Sequence, residues 1–419
     1  MKNILLNKPW LLFAPFLAAY LIMIYKLNYT IPVVLMGDEP RYLEYANNLL
    51  KGYFSSKEKV DLWSGPGYPL FLAPFIKIGI DINGLRLLNA LLQYLSIIFL
   101  FKTLKNWVSI KTAFWFSLFW GLYYIAYKEM LYVYTETLTS LLVVLIAYNI
   151  SNIKKTINYI FIGFLIGFLA LVKIIFGYVI LFCSGLFVVV YLINKNRLYF
   201  KYALVFITAI ITTIPYLTYT YKLTGKAFYW GNSGGMSLYW MSTPVESEYG
   251  DWNDSTFSAY CNYDTTMPCN ADYFAKAHQA DYDSIYKLSG ILRDDAFKQK
   301  AIQNIKAKPV KYIKNILANV GRLFFGIPNS YNFIRFQHLW RIIPNTFVFC
   351  IFLISIILGI RKFNKIHAVF YFLLSLLFAY LGLTLLVSAQ QRQLYVVLPI
   401  ILVWSAWIFE RSFQLRNDL

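Results

Sequence analysis

Long apolar runs recur along the whole chain and constrain its fold more than any other feature. Hydrophobic residues make up 59% of the 419 and charged residues only 14%, against about a quarter in soluble domains. A run of about 20 apolar residues is long enough to cross a bilayer as a helix. We count ten spans, of which the third and fifth are short, at approximately 9–27, 83–101, 112–127, 136–153, 157–172, 174–193, 203–221, 344–360, 366–387 and 394–410. The sequence therefore predicts an all-α polytopic membrane protein with about ten transmembrane helices.

The basic residues are concentrated in the links on one side of these spans. Lysine or arginine follows every even-numbered span, whereas the opposite links contain nearly isolated cations at Lys128, Lys173 and Arg392. Cytoplasmic loops are enriched in Lys and Arg, so both termini are predicted to be cytoplasmic. The first span lacks a small-residue cleavage site and is expected to be retained. The net charge of +19 follows from this asymmetry, and we do not expect nucleic acid as a partner.

Two long segments are predicted to face outward from a single transmembrane module that covers 1–419. The first segment is 28–82 and the second is 222–343. In the second, apolar residues at roughly helical spacing predict one amphipathic helix from Asp294 through Phe324, packed at the membrane surface. This segment also contains Cys261 and Cys269, which could form a disulfide in an oxidising compartment. Their pairing stays open.

An acidic pair, Asp38–Glu39, directly follows the first span. The residues from Pro40 to Gly52 predict a short amphipathic helix in the interface, and the stretch from Trp63 to Phe71 predicts a turn. Carboxylates at the mouth of a transmembrane helix are costly to bury, so they are usually solvated or functional. A helix cap is the simpler interpretation of the pair taken alone.

Three other charged residues are predicted to lie on the same side as this pair. Glu136 begins the fourth span, Lys173 interrupts an apolar run at a helix end, and Arg392 directly precedes the last span. Each has a structural explanation, because long cations can extend to the interface and a glutamate suits a helix N-terminus. Their convergence with Asp38–Glu39 favours a functional site.

Known cofactor motifs are not found in the sequence. There is no phosphate-binding loop of the Walker type and no nucleotide-binding strand–helix unit, so ATP or a sugar nucleotide is hard to place as a substrate. His278, His338 and His367 are scattered without metal-ligand spacing, so zinc is not expected.

Several motifs occur in the order found in polytopic GT-C glycosyltransferases, which the chain resembles over nearly its whole length. The branch it resembles contains the protein mannosyltransferases and aminoarabinose transferases, which use polyprenyl-phosphate sugars. The motifs that match are Asp38-Glu39 before Arg41-Tyr42, Pro66-Gly67-Tyr68-Pro69-Leu70, Tyr134-Thr135-Glu136-Thr137, Pro215-Tyr216, Thr224-Gly225, Gly234-Gly235, Ala301-Ile302, Lys308-Pro309, and the polar stretch at Arg392 before Pro399.

The chain departs from this branch in two respects. Aminoarabinose transferases commonly have a lysine before a Pro-Pro pair in the turn after the juxtamembrane helix. Here that turn has the sequence Ser64-Gly65-Pro66-Gly67, so the lysine is not carried over. A large C-terminal outward domain, which many relatives possess, is not expected in this chain.

The resemblance implies a glycosyltransferase of the plasma (inner) membrane whose active site faces the periplasm or exterior. A sugar would pass from a polyprenyl-phosphate donor to a lipid, glycan or protein acceptor, with inversion of the anomeric carbon. We expect Asp38 to be the base and Glu39 to assist it or orient the acceptor. Glu136 is expected to contact the acceptor, to stabilise the N-terminus of its own helix, or to hold a divalent metal together with Asp38. No cofactor is certain. The candidate ligands for the donor phosphate are Lys173, Arg392, Arg41 and Arg86, with Lys173 and Arg392 preferred and Lys128 and Arg322 as further cations.

Other function classes remain open. A flippase or transporter of lipid-linked sugars would have polar residues at mid-membrane depth. The spans here are largely uncharged and the polar groups collect at one interface, which favours an interfacial enzyme. A polymerase or ligase of surface glycan would share the same site, and a membrane protein without chemistry is the least favoured alternative.

Overall fold

The computed structural model describes residues 7–29, 35, 37–58, 60–252, 271–330, 339–362 and 366–417. Within these residues the regular secondary structure is helical and there is no strand, as predicted. Cys261, Cys269 and His338 lie outside the described residues. The helices are α1 Pro9–Leu12, α2 Ala14–Tyr29, α3 Glu39–Leu50, α4 Gly67–Lys77, α5 Ile82–Leu104, α6 Ile110–Gly121, α7 Tyr124–Met130, α8 Thr135–Ser151, α9 Ile157–Val172, α10 Ile175–Asn194, α11 Arg197–Thr224, α12 Gly234–Met241, α13 Ala271–Ile285, α14 Gly290–Ala307, α15 Pro309–Phe325, α16 Leu339–Lys362, α17 Ala368–Val387 and α18 Gln391–Asn417.

The chain is a multi-pass membrane protein. Among the described residues, six helices are long and apolar enough to cross a bilayer, namely α5, α10, α11, α16, α17 and α18. Shorter apolar helices, α2, α8 and α9, coincide with three more predicted spans. The predicted count of ten is not reproduced, because the span expected at 112–127 is divided between α6 and α7.

The break between α6 and α7 is explained by a contact with α2. The Tyr20 hydroxyl donates a hydrogen bond of 2.6 Å to the Gly121 carbonyl, which ends α6. A Cβ at Gly121 would lie 2.8 Å from the Phe16 ring, so the close approach of α2 requires glycine there. The chain then turns into α7, a short helix that contains Lys128 and Glu129.

Helices α8 and α18 form the centre of the bundle and pack against each other. Helix α8 is buried along almost its whole length, and 83% of the apolar window in α18 is buried. Glu136 lies in the first turn of α8 and Arg392 in the first turn of α18. Two buried helices therefore bring these charged residues to the same end of the bundle, which we call the Asp38 end.

Helices α3 and α4 cover part of the Asp38 end. Helix α3 agrees with the amphipathic helix predicted from Pro40 to Gly52 and ends at Leu50, before Gly52 adopts a φ of +91°. The turn predicted from Trp63 to Phe71 is shorter than expected, because α4 already begins at Gly67.

The Gly65–Gly67 segment packs directly on the backbone at the end of α9. A Cβ at Gly65 would lie 2.1 Å from the Leu171 carbonyl oxygen, and one at Gly67 would lie 2.5 Å from the Val172 nitrogen. Only glycine permits an approach this close. This contact fixes the loop beside Lys173.

The single helix predicted from Asp294 through Phe324 is wrong. The structure has two helices, α14 and α15, separated at Lys308. Lys308 has φ −136° and ψ 65°, outside the helical region, because the Pro309 ring disfavours a helical residue before it. Pro309 is itself well suited to begin α15.

Helix α15 has the amphipathic pattern of an interfacial helix. The polar residues Lys311, Asn315 and Asn319 are buried against the protein. On the opposite face Ile313 and Leu317 are 57% and 66% exposed. An apolar face that the protein leaves uncovered suits contact with the membrane surface, and that placement stays a prediction.

Candidate active site

Asp38 occupies the residue before α3, but its side chain does not cap that helix. Its Oδ1 accepts a hydrogen bond of 2.9 Å from Nη1 of Arg41, and its Oδ2 accepts one of 3.4 Å from Nη1 of Arg392. The side chain is 29% exposed. Asp38 is therefore a partly exposed carboxylate held between two cations. It does not make the hydrogen bond of a helix cap.

Glu136 is buried in the first turn of α8 and makes an ion pair. Its Oε1 lies 2.8 Å from Nζ of Lys173 and 3.8 Å from Nε of Arg392. The Thr135 hydroxyl donates a hydrogen bond of 3.1 Å to its Oε2. An isolated buried carboxylate would be strongly unfavourable, so these cations are what allow Glu136 to lie there ionised. The positive end of α8 adds to that effect.

Arg392 connects the two carboxylates. It contacts Asp38, which is 354 residues away in the sequence, and Glu136 from the same guanidinium. Its side chain is 34% exposed, and the planar fork of arginine suits simultaneous contact with carboxylate and phosphate oxygens. The structure thus brings together four of the predicted site residues around Arg392 (Asp38, Arg41, Glu136 and Lys173).

Glu39 and Arg86 form a separate, fully buried pair. The guanidinium of Arg86 donates two hydrogen bonds to the Glu39 carboxylate, at 3.0 and 2.7 Å. The backbone N–H of Val133 donates a third, at 2.8 Å. Glu39 is 0% and Arg86 4% exposed. Burial keeps both from direct contact with a ligand, and their contacts connect α3 to α5 and to the loop before α8.

A divalent metal does not fit these residues. Among the described residues, no three His, Cys, Asp or Glu side chains are grouped as metal ligands. Asp38 and Glu136, the pair expected to hold such an ion, direct their oxygens at Arg41, Lys173 and Arg392 instead. We therefore derive no step through a metal.

Glu129 in α7 is a functional candidate that the sequence interpretation missed. The residue is 3% exposed, and its Oε2 has no hydrogen-bond partner in the part of the chain that the structure describes. The pKa of Glu129 is raised to about 7, because burial and the Glu136 charge raise it by more than Arg392, Lys128 and Lys173 lower it. The only signal in the sequence was its position beside Lys128 in an otherwise apolar link.

Glu129 lines a cavity of about 300 Å³ that also contains three cations, Lys128, Arg322 and Arg392. We call it the cation cavity. Arg322 is 3% exposed and is held in place because its guanidinium donates to the Pro328 carbonyl at 3.0 Å and to Asn319. The full lining is Tyr124, Ile125, Lys128, Glu129, Arg322, Gly326, Asn329, Ala389, Gln390, Gln391 and Arg392. Three cations in one concave site suit a phosphate group.

An apolar groove of about 280 Å³ lies along the same helix as the cation cavity. Its lining residues come from α6, α16 and α18 and are Trp115, Phe116, Phe119, Phe347, Val348, Ile351, Ile401 and Leu402. Leu402 follows Arg392 by ten residues of α18, which corresponds to about 15 Å along a helix. Along α18, the groove therefore lies further from the Asp38 end than the cation cavity does.

A third cavity, of about 200 Å³, is lined by Arg41, one of the two arginines that contact Asp38. We call it the aromatic cavity; its lining is Arg41, Trp63, Asn232, Met236, Trp252, Tyr286, Arg293, Asp294 and Phe297. The Arg41 guanidinium lies 5.0 Å from the centre of the Trp63 ring while it donates to Asp38. Asp38 is thus connected through Arg41 to this cavity and through Arg392 to the cation cavity.

No protein-family model matches the chain, and no curated protein matches it in sequence. A search of solved structures aligns it with ArnT from Cupriavidus metallidurans in two crystal structures of that protein, one bound to undecaprenyl phosphate and one in the apo state. Each alignment has 12% sequence identity and a TM-score of 0.41. Each covers 97% of this chain, together with 78% of the lipid-bound ArnT chain and 77% of the apo chain.

Proposed function

We propose that this protein is a membrane glycosyltransferase that moves a sugar from a polyprenyl-phosphate donor to an acceptor at the Asp38 end of the bundle. The observation that carries the proposal is the position of Asp38. Its carboxylate is accessible, and it contacts one arginine from the cation cavity and another from the aromatic cavity. A carboxylate between an anion site and a second substrate site is what a base in a transfer reaction requires.

The cation cavity and the apolar groove together suit a lipid phosphate. Arg392, Arg322 and Lys128 supply the positive charge for the phosphate. The groove between α6, α16 and α18 offers only aromatic and aliphatic side chains, as an isoprenoid tail requires. Because α18 contributes to both, we propose that one molecule with a charged head and an apolar tail occupies them together.

In the proposed reaction, Asp38 takes the proton of the acceptor hydroxyl or amine. The acceptor atom then bonds to the anomeric carbon as the bond between that carbon and the phosphate oxygen breaks, which inverts the anomeric centre. Arg392 stabilises the negative charge on the departing polyprenyl phosphate and gives up its contact with Asp38. The aromatic cavity is the acceptor side, for a lipid, glycan or protein acceptor.

The remaining predicted residues then take positioning roles. Lys173 is occupied by Glu136, and this pair orients Arg392. The Glu39–Arg86 pair fixes the start of α3 and thereby the backbone of Asp38. Arg41 orients the other Asp38 oxygen and lines the acceptor side.

The basic residues at the opposite end of the bundle support an orientation with the Asp38 end outside the cell. We therefore propose the plasma (inner) membrane as the location, with the site facing the periplasm or exterior.

The test is the Asp38→Asn variant, purified and assayed in vesicles with a polyprenyl-phosphate sugar and native acceptor membranes. Transfer should fall by about 10²–10⁴-fold, since the amide cannot accept a proton. Glu44→Gln is the matched control, since Glu44 is an exposed carboxylate on α3, the helix that Asp38 precedes. Transfer by Asp38→Asn at the wild-type rate would refute the assignment of the base. Sugar that crosses the membrane without release of polyprenyl phosphate would indicate a flippase instead.

A further inference from the structure

We propose that Glu129 is a proton donor to the leaving phosphate in the cation cavity. This inference rests on the proposed function and adds a second proton-transfer residue to it. Asp38 removes a proton on the acceptor side, and Glu129 supplies one on the donor side.

The first argument is the cost of burying Glu129 without a partner. One carboxylate oxygen is enclosed and makes no hydrogen bond with any described residue, although three cations line the same cavity. Leaving a buried polar group unsatisfied is unfavourable, and more so when the group is charged. Glu136 avoids this cost through Lys173. No described residue does this for Oε2 of Glu129. We therefore infer that a ligand bound in the cavity satisfies this oxygen.

The second argument is the charge around Glu129. Lys128 lies on its own helix, Glu136 on α8, Lys173 after α9, Arg392 on α18 and Arg322 on α15. Among the described residues that line the cavity, α5 and α16 supply no charged group. In the free protein burial raises the pKa of Glu129, the cations partly offset that shift, and the pKa is about 7. A phosphate anion in the cavity adds negative charge beside the carboxylate and raises that pKa, so donor binding favours the protonated acid.

The proposed step balances in atoms and charge. The donor is a phosphodiester with one negative charge, and loss of the sugar would leave a phosphate monoester with two. The bond from the anomeric carbon to the phosphate oxygen breaks with its electron pair on that oxygen. The Glu129 proton passes to the phosphate, which leaves as a monoanion, and Glu129 becomes a carboxylate. A later proton from water restores the acid.

The test is calorimetric titration of the wild-type protein with undecaprenyl phosphate at pH 8, in two buffers of different ionisation enthalpy. At this pH free Glu129 is mostly ionised, because its pKa is about 7. Binding should therefore take up close to one proton, which appears as a buffer-dependent enthalpy. The affinity should be constant below about pH 7 and should fall up to tenfold per pH unit above it, since only the protonated acid donates to the phosphate.

The matched variants are Glu129→Gln and Glu44→Gln. Glu129→Gln keeps a hydrogen-bond donor but has no titratable proton, so its binding should take up close to one proton fewer than the wild type and should lack the part of the pH dependence that comes from Glu129. Glu44→Gln should behave as wild type. Any titration of the lipid phosphate itself affects all three proteins equally and cancels in the comparison.

The outcomes separate the two proposals. Binding of undecaprenyl phosphate without proton uptake by the wild type overturns the role of Glu129 and leaves the proposed function standing. Proton uptake by Glu129→Gln equal to that of the wild type also overturns it. Failure of the wild type to bind the lipid overturns both. The wild-type titration tests the role of Glu129 even where a variant does not fold.

Discussion

Asp38 and Glu39 are adjacent in the sequence, yet they belong to two regions with opposite physical character. Glu39 forms a buried cluster with Arg86 and the Val133 N–H, in which every carboxylate oxygen has a partner. Asp38 belongs to an open cluster with Arg41 and Arg392, with side chains about a third exposed. One acidic motif can therefore supply both a structural pair and an accessible base from two adjacent residues.

The largest effect should follow from breaking the buried cluster. Arg86→Met leaves the Glu39 charge without its partner, and removal of one member of a buried pair costs about 3–5 kcal/mol of unfolding free energy. Asp38→Asn, in the open cluster, should change stability by no more than about 1 kcal/mol, because its partners are partly solvated. Equilibrium unfolding in mild detergent measures both.

A double variant gives the control for this prediction. Glu39→Gln with Arg86→Met removes both charges, and the amide oxygen can still accept from Val133. It should therefore recover most of the stability that Arg86→Met loses. Equal stability of Arg86→Met and the wild type would show that the pair is not structural.

An intermediate effect should follow from Arg392→Gln in the open cluster. Loss of a charge-assisted hydrogen bond costs about 1.5–3 kcal/mol, so undecaprenyl phosphate should bind roughly 10–150-fold more weakly. Arg411→Gln is the matched control, since Arg411 lies on the same helix at the other end. Unchanged lipid affinity in Arg392→Gln would place the phosphate elsewhere.

The sequence predicted the helical membrane class because apolar runs and basic links are local signals. The separation of α14 from α15 was missed, although it could have been predicted because Lys308 precedes a proline. The end of α6 was not, because it depends on a hydrogen bond from Tyr20, 101 residues earlier.

The same distinction applies to the site. Asp38, Glu136 and Arg392 could be selected as charged residues on one side of the bundle. The different fates of Asp38 and Glu39 could not be predicted, because they depend on Arg86, 47 residues from Glu39. Glu129 was missed because its significance arises only when α7, α15 and α18 enclose one cavity.

The smallest effect should follow from Trp63→Ala, which distinguishes the Arg41 side of the open cluster from the Arg392 side. Trp63 packs against Arg41 on the acceptor side of Asp38, and a partly exposed contact between a cation and an aromatic ring contributes about 0.5–1 kcal/mol. The acceptor KM should therefore rise about two- to fivefold, while undecaprenyl phosphate affinity stays the same because Arg392 is untouched. Trp10→Ala, at a tryptophan that is 55% exposed, is the matched control and should change neither quantity. A change in lipid affinity with an unaltered acceptor KM would contradict this assignment. It would mean that Arg41, and not Arg392, faces the phosphate, so that the donor occupies the aromatic cavity.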